Sequence, residues 1–281
     1  MKIYAFSDEA ASDLGGQITA MKRNGLDGTE IRGVGGRNIT AFTLKEAAAV
    51  LQQLKDNDLS VWSVGSPIGK IPLDGDFAAH LDRFRRTLEI ASALECANLR
   101  MFSFYLPENV RPEDCRNEVV SRLAQMAEIA DGSGVALCHE NEKGIYGDTA
   151  ARCAEILAAV PSLRCVFDPA NFIQCGQDVG EAWDMLGGKV YYMHIKDALP
   201  DGTVVPAGMG DGHVPEILKK LFDGGFEGFL SIEPHLAHFD GFALLEKNGI
   251  SIPDNPQPLE GFDAFALAHS ALMTILQGQD A

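Results

Sequence analysis

Eight short apolar runs, rich in β-branched and aromatic residues, recur along the chain. They cover Ile3–Ser7, Gly28–Arg32, Ser60–Gly65, Leu99–Phe104, Val135–Glu140, Arg164–Asp168, Val190–Ile195 and Phe229–Glu233. Each reads as a buried strand, and their starts fall about 25 to 40 residues apart, the span of a βα unit. Between them the period changes to that of helices. Asp13–Asn24 stops before Gly25, and Thr43–Asp56 opens with Thr43 and Glu46 at capping-box spacing. Asp76–Cys96 carries Phe77, Leu81, Phe84, Leu88 and Ala91 on one face. Pro112–Asp131 has proline in its first turn and ends before Gly132 and Gly134. Asp148–Val160 starts on an Asp cap, and Asp178–Leu186, Val214–Phe222 and Phe262–Leu276 complete the set. Eight strands alternating with eight helices predict one closed parallel (β/α)8 barrel over residues 1–281. An open doubly wound sheet is the alternative. The loop after the first strand, SDEAASDLGG, has no GxGxxG, which argues against a dinucleotide-binding half. The Pro-containing stretch Gly249–Glu260 reads as a long loop, a surface connection or a cover for a site.

Composition narrows the partners. The chain has 281 residues, 46% hydrophobic and 22% charged, enough apolar material for a large core. Its net charge of −17 repels nucleic acid and anionic membranes, and no basic patch offsets it. No run reaches the length of a membrane span, and MKIYAFSDEA lacks the apolar stretch of a signal peptide. The six cysteines include no CxxC pair and read as reduced packing thiols in a cytoplasmic protein.

Chemistry is concentrated at four strand ends. Glu140, Asp168, His194 and Glu233 close strands five to eight in order. In a barrel those strands are neighbours and their ends converge on one face, so four side chains can meet around one ion. Two Glu, one Asp and one His suit a divalent cation of borderline-to-hard character. Alternation puts Cys138 and Glu140 on one face and His139 on the other, so His139 is read as packed and not as a ligand. His194 shares a face with Lys196, Glu233 with His235, and Glu30 with Arg32. Arg32, Lys70, Asn171, Lys196 and His235 are candidate substrate-binding residues, for hydroxyls, a carboxylate or a phosphate. His213 reads as an exposed turn residue, and His80, His238 and His269 as helical or peripheral. Trp62 and Phe6 read as barrel filling.

Taken together, SDEAASDLGGQI, GTEIR, VGSPIGK, HEN, FDPAN, HIKD, GMGDGH and SIEPH are similar, over essentially the whole chain, to the sugar isomerase/epimerase superfamily of xylose isomerase-like TIM barrels. That resemblance implies one divalent ion (Mn²⁺ favoured; Co²⁺, Mg²⁺ or Zn²⁺ possible) held by Glu140, Asp168, His194 and Glu233. It implies that Glu140 and Glu233 are the catalytic acid/base pair, moving a proton through an enediolate of a sugar or sugar phosphate. A small carbohydrate or polyol-derived partner and a homo-oligomer, dimer or tetramer, are implied too. Two positions depart from the ketose 3-epimerases it resembles. Asn171 stands where they carry His, and Lys196 is the nearest basic residue where they carry Arg.

Three other readings compete. The same metal could serve a lyase or dehydratase acting on an inosose- or dehydroshikimate-like ketone. An AP-endonuclease-like hydrolase would need many more histidine ligands than a chain with seven offers, and a surface less acidic than this one. A non-catalytic carbohydrate-binding barrel would keep the fold without the proton transfer.

Overall fold

The computed structural model describes residues 1–237 and 259–279. Eight parallel strands close a barrel: β1 Lys2–Ala5, β2 Gly28–Ile31, β3 Ser60–Gly65, β4 Asn98–Met101, β5 Ala136–Glu140, β6 Arg164–Phe167, β7 Val190–Ile195 and β8 Phe229–Ile232. Each pairs with its neighbours in sequence, and β1 pairs with β8. This is a (β/α)8 TIM barrel, as the alternation of elements predicts. Among the described residues the helices are α1 Leu14–Arg23, α2 Leu44–Lys55, α3 Phe77–Ala93, α4 Pro112–Ala130, α5 Ala150–Ala159, α6 Pro169–Gln174, α7 Val179–Leu186, α8 Val214–Asp223 and α9 Gly261–Gln279.

The expected capping box forms: Thr43 and Glu46 bond reciprocally. Asp13, Asp76 and Asp178, the first residues of three expected helices, cap them by accepting from the backbone of the first turn. The fifth helix is a correction: its cap is Thr149, while Asp148 belongs to the preceding turn and pairs with Arg152. Two strands end two or more residues before the expected boundary. After Ala5 the chain leaves the sheet at Phe6 and enters a 3₁₀ turn, Ser7–Glu9. β4 ends at Met101 because Phe102 and Phe104 donate instead to Ile68 and Gly69 of the loop after β3. Gly69 has φ +90°, and a Cβ there would lie 2.1 Å from the Phe102 carbonyl oxygen, so glycine is required where these segments meet. The expected loop Gly249–Glu260, up to residue 258, and His238 lie outside the described residues.

Two apolar layers hold the molecule. The large one lies between strands and helices and includes Phe84, Leu123, Ile156 and Leu272, all fully buried. The smaller one fills the barrel interior with Cys138, Val166 and Tyr192. Trp62 stacks on Phe229, 3.6 Å between ring centres, and on Tyr4 at 5.8 Å, so it plugs the barrel as expected. α9 closes the ring against α1, α8 and the turn after β1. Among the described residues no helix is long and apolar enough to cross a membrane. All six cysteines are free, and burial pushes Cys96 and Cys165 up to about 12, consistent with inert packing thiols.

Candidate metal centre

The four strand-end residues meet. One ligand atom from each of Glu140, Asp168, His194 and Glu233 lies within 4.8 Å of the other three, and all four side chains are buried. The fold positions them by different means. Glu140 is the last residue of β5, and the inward side of that strand also carries Cys138. Asp168 caps α6, a six-residue helix with Pro169 at its first position that has no counterpart in the sequence reading. Its Oδ1 accepts from the Asn171 amide at 2.9 Å, which leaves Oδ2 for the cluster. His194 sits inside β7 opposite Ser231 of β8, one residue pair before that strand ends. Glu233 follows β8 and donates its amide to Ile195.

His194 is oriented as a ligand. Its Nδ1 faces all three carboxylates: Glu140 Oε1 at 2.9 Å, Glu233 Oε2 at 3.4 Å and Asp168 Oδ2 at 3.7 Å. Its Nε2 lies 3.0 Å from Glu30 Oε2, and the other Glu30 oxygen accepts from the Tyr192 hydroxyl at 2.8 Å. A proton fixed on Nε2 by Glu30 leaves Nδ1 to bind an ion, the arrangement by which carboxylates orient metal-bound histidines. Phe6 packs its ring 5.3 Å from the His194 ring.

The donor set fits a divalent cation. Three carboxylates and one imidazole converge, and Glu140 Oε2, buried and without a hydrogen bond, faces the Arg100 guanidinium at 3.2 Å. Burial disfavours the imidazolium of His194, but Glu140 and Glu30 outweigh it and raise its pKa well above the ordinary value. Burial likewise opposes the charge of Glu233, yet Lys196, His235, His194 and Arg32 hold its carboxyl well below the usual range. For Glu140 burial prevails over His194 and Arg100, and its carboxyl is raised.

Of the five residues expected to bind substrate, Arg32, Asn171, Lys196 and His235 contact this cluster, and Lys70 is held beside it by Glu142. Lys196 Nζ donates to Asn171 Oδ1 at 2.9 Å, Asp168 Oδ2 at 3.2 Å and Glu233 Oε2 at 3.4 Å. Asn171 donates to Glu140 Oε1 at 3.2 Å and to the Asn141 carbonyl at 2.9 Å. Arg32 is no surface residue: its guanidinium donates to Asp8 and Glu9 and lies 3.5 Å from Glu233 Oε1. His235, with φ +46°, donates its amide to Glu9 Oε2 at 2.6 Å and lies 3.5 Å from Glu233. Lys70 is drawn 2.8 Å from Glu142 and lies over the Phe102 ring. His139 is buried against Gly147, outside the ligand quartet, as alternation requires. His213 is exposed as expected. His80 is helical but not peripheral: it is buried and accepts from the Gly69 amide at 3.0 Å.

Sequence reasoning missed the second layer. Arg100, 3.2 Å from Glu140, sits inside the apolar run of β4, and Glu30 stands in β2. Both carried a signal, a charge on the inward face of a strand otherwise buried. Asp8, Glu9 and Glu142 stand just beyond strand ends and carried none beyond that position.

With the barrel and its strand-end cluster in place, the family follows. A family model described as xylose isomerase-like TIM barrel matches residues 18–255, and the chain belongs to that family. Solved structures agree on the fold. An L-ribulose 3-epimerase superposes with a TM-score of 0.78 at 20% identity, covering 100% of this chain and 96% of that one. The IolI protein with a bound zinc atom gives 0.75 at 17%, with 99% of both chains covered. The probable 3-DHS dehydratase AsbF of Bacillus anthracis gives 0.73 at 17%, covering 97% of this chain and 99% of that one. Curated protein sequences give no match.

Proposed function

We propose that this barrel is a divalent-metal-dependent isomerase or epimerase of a sugar or sugar-like ketone. The observation that carries the reading is the convergence of two glutamates, an aspartate and a histidine at the carboxyl ends of neighbouring strands, with ligand atoms within 4.8 Å. Glu140, Asp168, His194 and Glu233 would hold the ion. When bound, such an ion stabilises the negative oxygens of an enediolate, which makes the proton beside a carbonyl removable.

The remaining work falls to the chain. One of Glu140 and Glu233 takes the proton from carbon and the other returns one. Arg100 beside Glu140, and Arg32, Lys196 and His235 beside Glu233, set the proton affinities of the pair. Asn171 and Lys196 bridge Asp168 to both glutamates, so they fix the spacing of the acid/base pair and offer polar contacts to substrate hydroxyls. Epimerases among the solved neighbours and the zinc-bound IolI protein support this reading.

Exchange of substrate protons in D₂O, followed by NMR over a panel of ketoses, tests it with the ion-loaded protein. Glu140→Gln and Glu233→Gln should each reduce exchange at least ~100-fold while the ion stays bound. Undiminished exchange in both variants would exclude the acid/base assignment. Loss of water from a keto-cyclitol without epimerised product would move the chain to the dehydratases.

A further inference from the structure

We infer that the substrate is uncharged: the site takes a polyhydroxy ketone or keto-cyclitol bearing neither phosphate nor carboxylate. This rests on the isomerase reading above and deepens it. An anionic group needs a cation or a nest of free amides to receive it. Among the described residues around this cluster, both kinds of receptor are already engaged by the protein's own carboxylates.

Among the described residues the buried cations near the cluster are Arg32, Lys70, Arg100 and Lys196. Arg32 faces Asp8, Glu9 and Glu233. Lys70 faces Glu142, Arg100 faces Glu140, and Lys196 faces Asp168 and Glu233. These side chains are at most 11% exposed. Glu30 adds a further buried carboxylate, bound to His194. Carboxylates therefore outnumber the cations, and a divalent ion does not reverse the balance. To grip a phosphate, Arg32 or Lys70 would have to leave Asp8, Glu9 or Glu142 buried and uncompensated, which costs more than the new contact returns, while Arg100 and Lys196 stay beside ligand carboxylates whose charge the ion only partly offsets.

The amide nest is filled as well. Barrels of this kind often bind phosphate with the loops after strands seven and eight. Here the loop after β7 is glycine-rich, and its amides converge, but on a side chain of the chain itself. Gly208, Gly210 and Gly212 donate to the Asp197 carboxylate at 2.8, 3.1 and 2.8 Å, and Ala198 adds a fourth donor at 2.9 Å. Asp197 is fully buried. Where a phosphate would sit in such a loop, this chain carries its own anion. Hydroxyls and carbonyls, by contrast, can use the polar atoms of Asn171, Lys196 and His235 without breaking a pair.

The test compares matched substrates on the ion-loaded, full-length protein. Neutral ketohexoses and keto-cyclitols are each assayed beside their phosphate esters, together with a dehydroshikimate-like keto acid, by proton exchange in D₂O. The neutral member should be favoured in kcat/KM by at least about 100-fold. An ester or keto acid exchanged as well as its neutral counterpart overturns the inference while leaving the isomerase reading intact. No exchange with any compound overturns both. Inorganic phosphate provides a second arm. It should not inhibit the parent competitively at millimolar levels, whereas Glu142→Gln, which removes the carboxylate facing Lys70, should become sensitive to it. Competitive inhibition of the parent, or a folded Glu142→Gln that remains insensitive, counts against the inference.

Discussion

Glu30 touches no atom of the proposed ion, yet Glu30→Gln should weaken metal binding. Its carboxylate accepts from His194 Nε2 at 3.0 Å and from the Tyr192 hydroxyl at 2.8 Å, with Glu30 and His194 both fully buried. Glutamine keeps the shape but offers one accepting oxygen where two acceptors are used. It also replaces a charge-assisted hydrogen bond, worth about 1.5–3 kcal/mol, by a neutral one worth about 1 kcal/mol. The loss of about 0.5–2 kcal/mol at the histidine should raise the metal dissociation constant roughly 2- to 30-fold, reaching into the 10–100-fold range typical of partners behind metal-bound histidines. Competition with a chromogenic chelator measures the constant, and circular dichroism of the ion-free variant checks the fold. A folded Glu30→Gln protein with parental affinity would refute the claim that Glu30 presents His194 to the ion.

Other expectations follow from the same contacts. Because Glu140 and Glu30 hold the His194 pKa well above its ordinary value, an ion binding at Nδ1 must displace a proton. Metal affinity should therefore rise with pH, up to about tenfold per unit below the His194 pKa, and calorimetry in buffers of different ionisation heat should count about one proton released per ion. His80 is pushed down to about 4 by burial and by Arg83 and Arg122, below its unfolded value. The unfolded chain then binds the extra proton as pH falls below about 6.5, so stability is lost from there toward pH 4. In denaturant titrations at pH 7 and 5 the parent should lose about 1–2 kcal/mol more than His80→Gln, and equal losses would show that His80 does not titrate this way. Asn171→Ala removes the bridge between Lys196 and Glu140, and kcat should fall roughly 10–100-fold with the ion retained; a change confined to KM would limit Asn171 to substrate binding.

The fold was legible because each βα unit announces itself locally. Strand runs, Asp and Thr caps and glycine stops need only a few residues of context. The ligand quartet was legible for a related reason: strands five to eight are neighbours in any closed barrel, so their last residues must meet. The misreadings have physical causes. α6 has six residues, too few to show a helical period, and its cap, Asp168, reads in the sequence only as a strand end. β4 stops early because the loop after β3 competes for the amides of Phe102 and Phe104, a contact between segments that no local pattern encodes. The ion pairs behind the quartet join distant positions; Arg32 and Glu233 are 201 residues apart. Buried charge in β2 and β4 hinted at them, but the partners emerge only once the barrel is closed.

The central claim is that Glu140, Asp168, His194 and Glu233 form one metal site. Elemental analysis of freshly purified protein, beside an Asp168→Asn/His194→Ala double variant, tests it most directly. The account predicts about one divalent ion per chain in the parent and none in the folded variant. A parent that takes up no ion, even when offered Mn²⁺, Co²⁺, Mg²⁺ or Zn²⁺, would contradict it and leave the barrel as a binding protein.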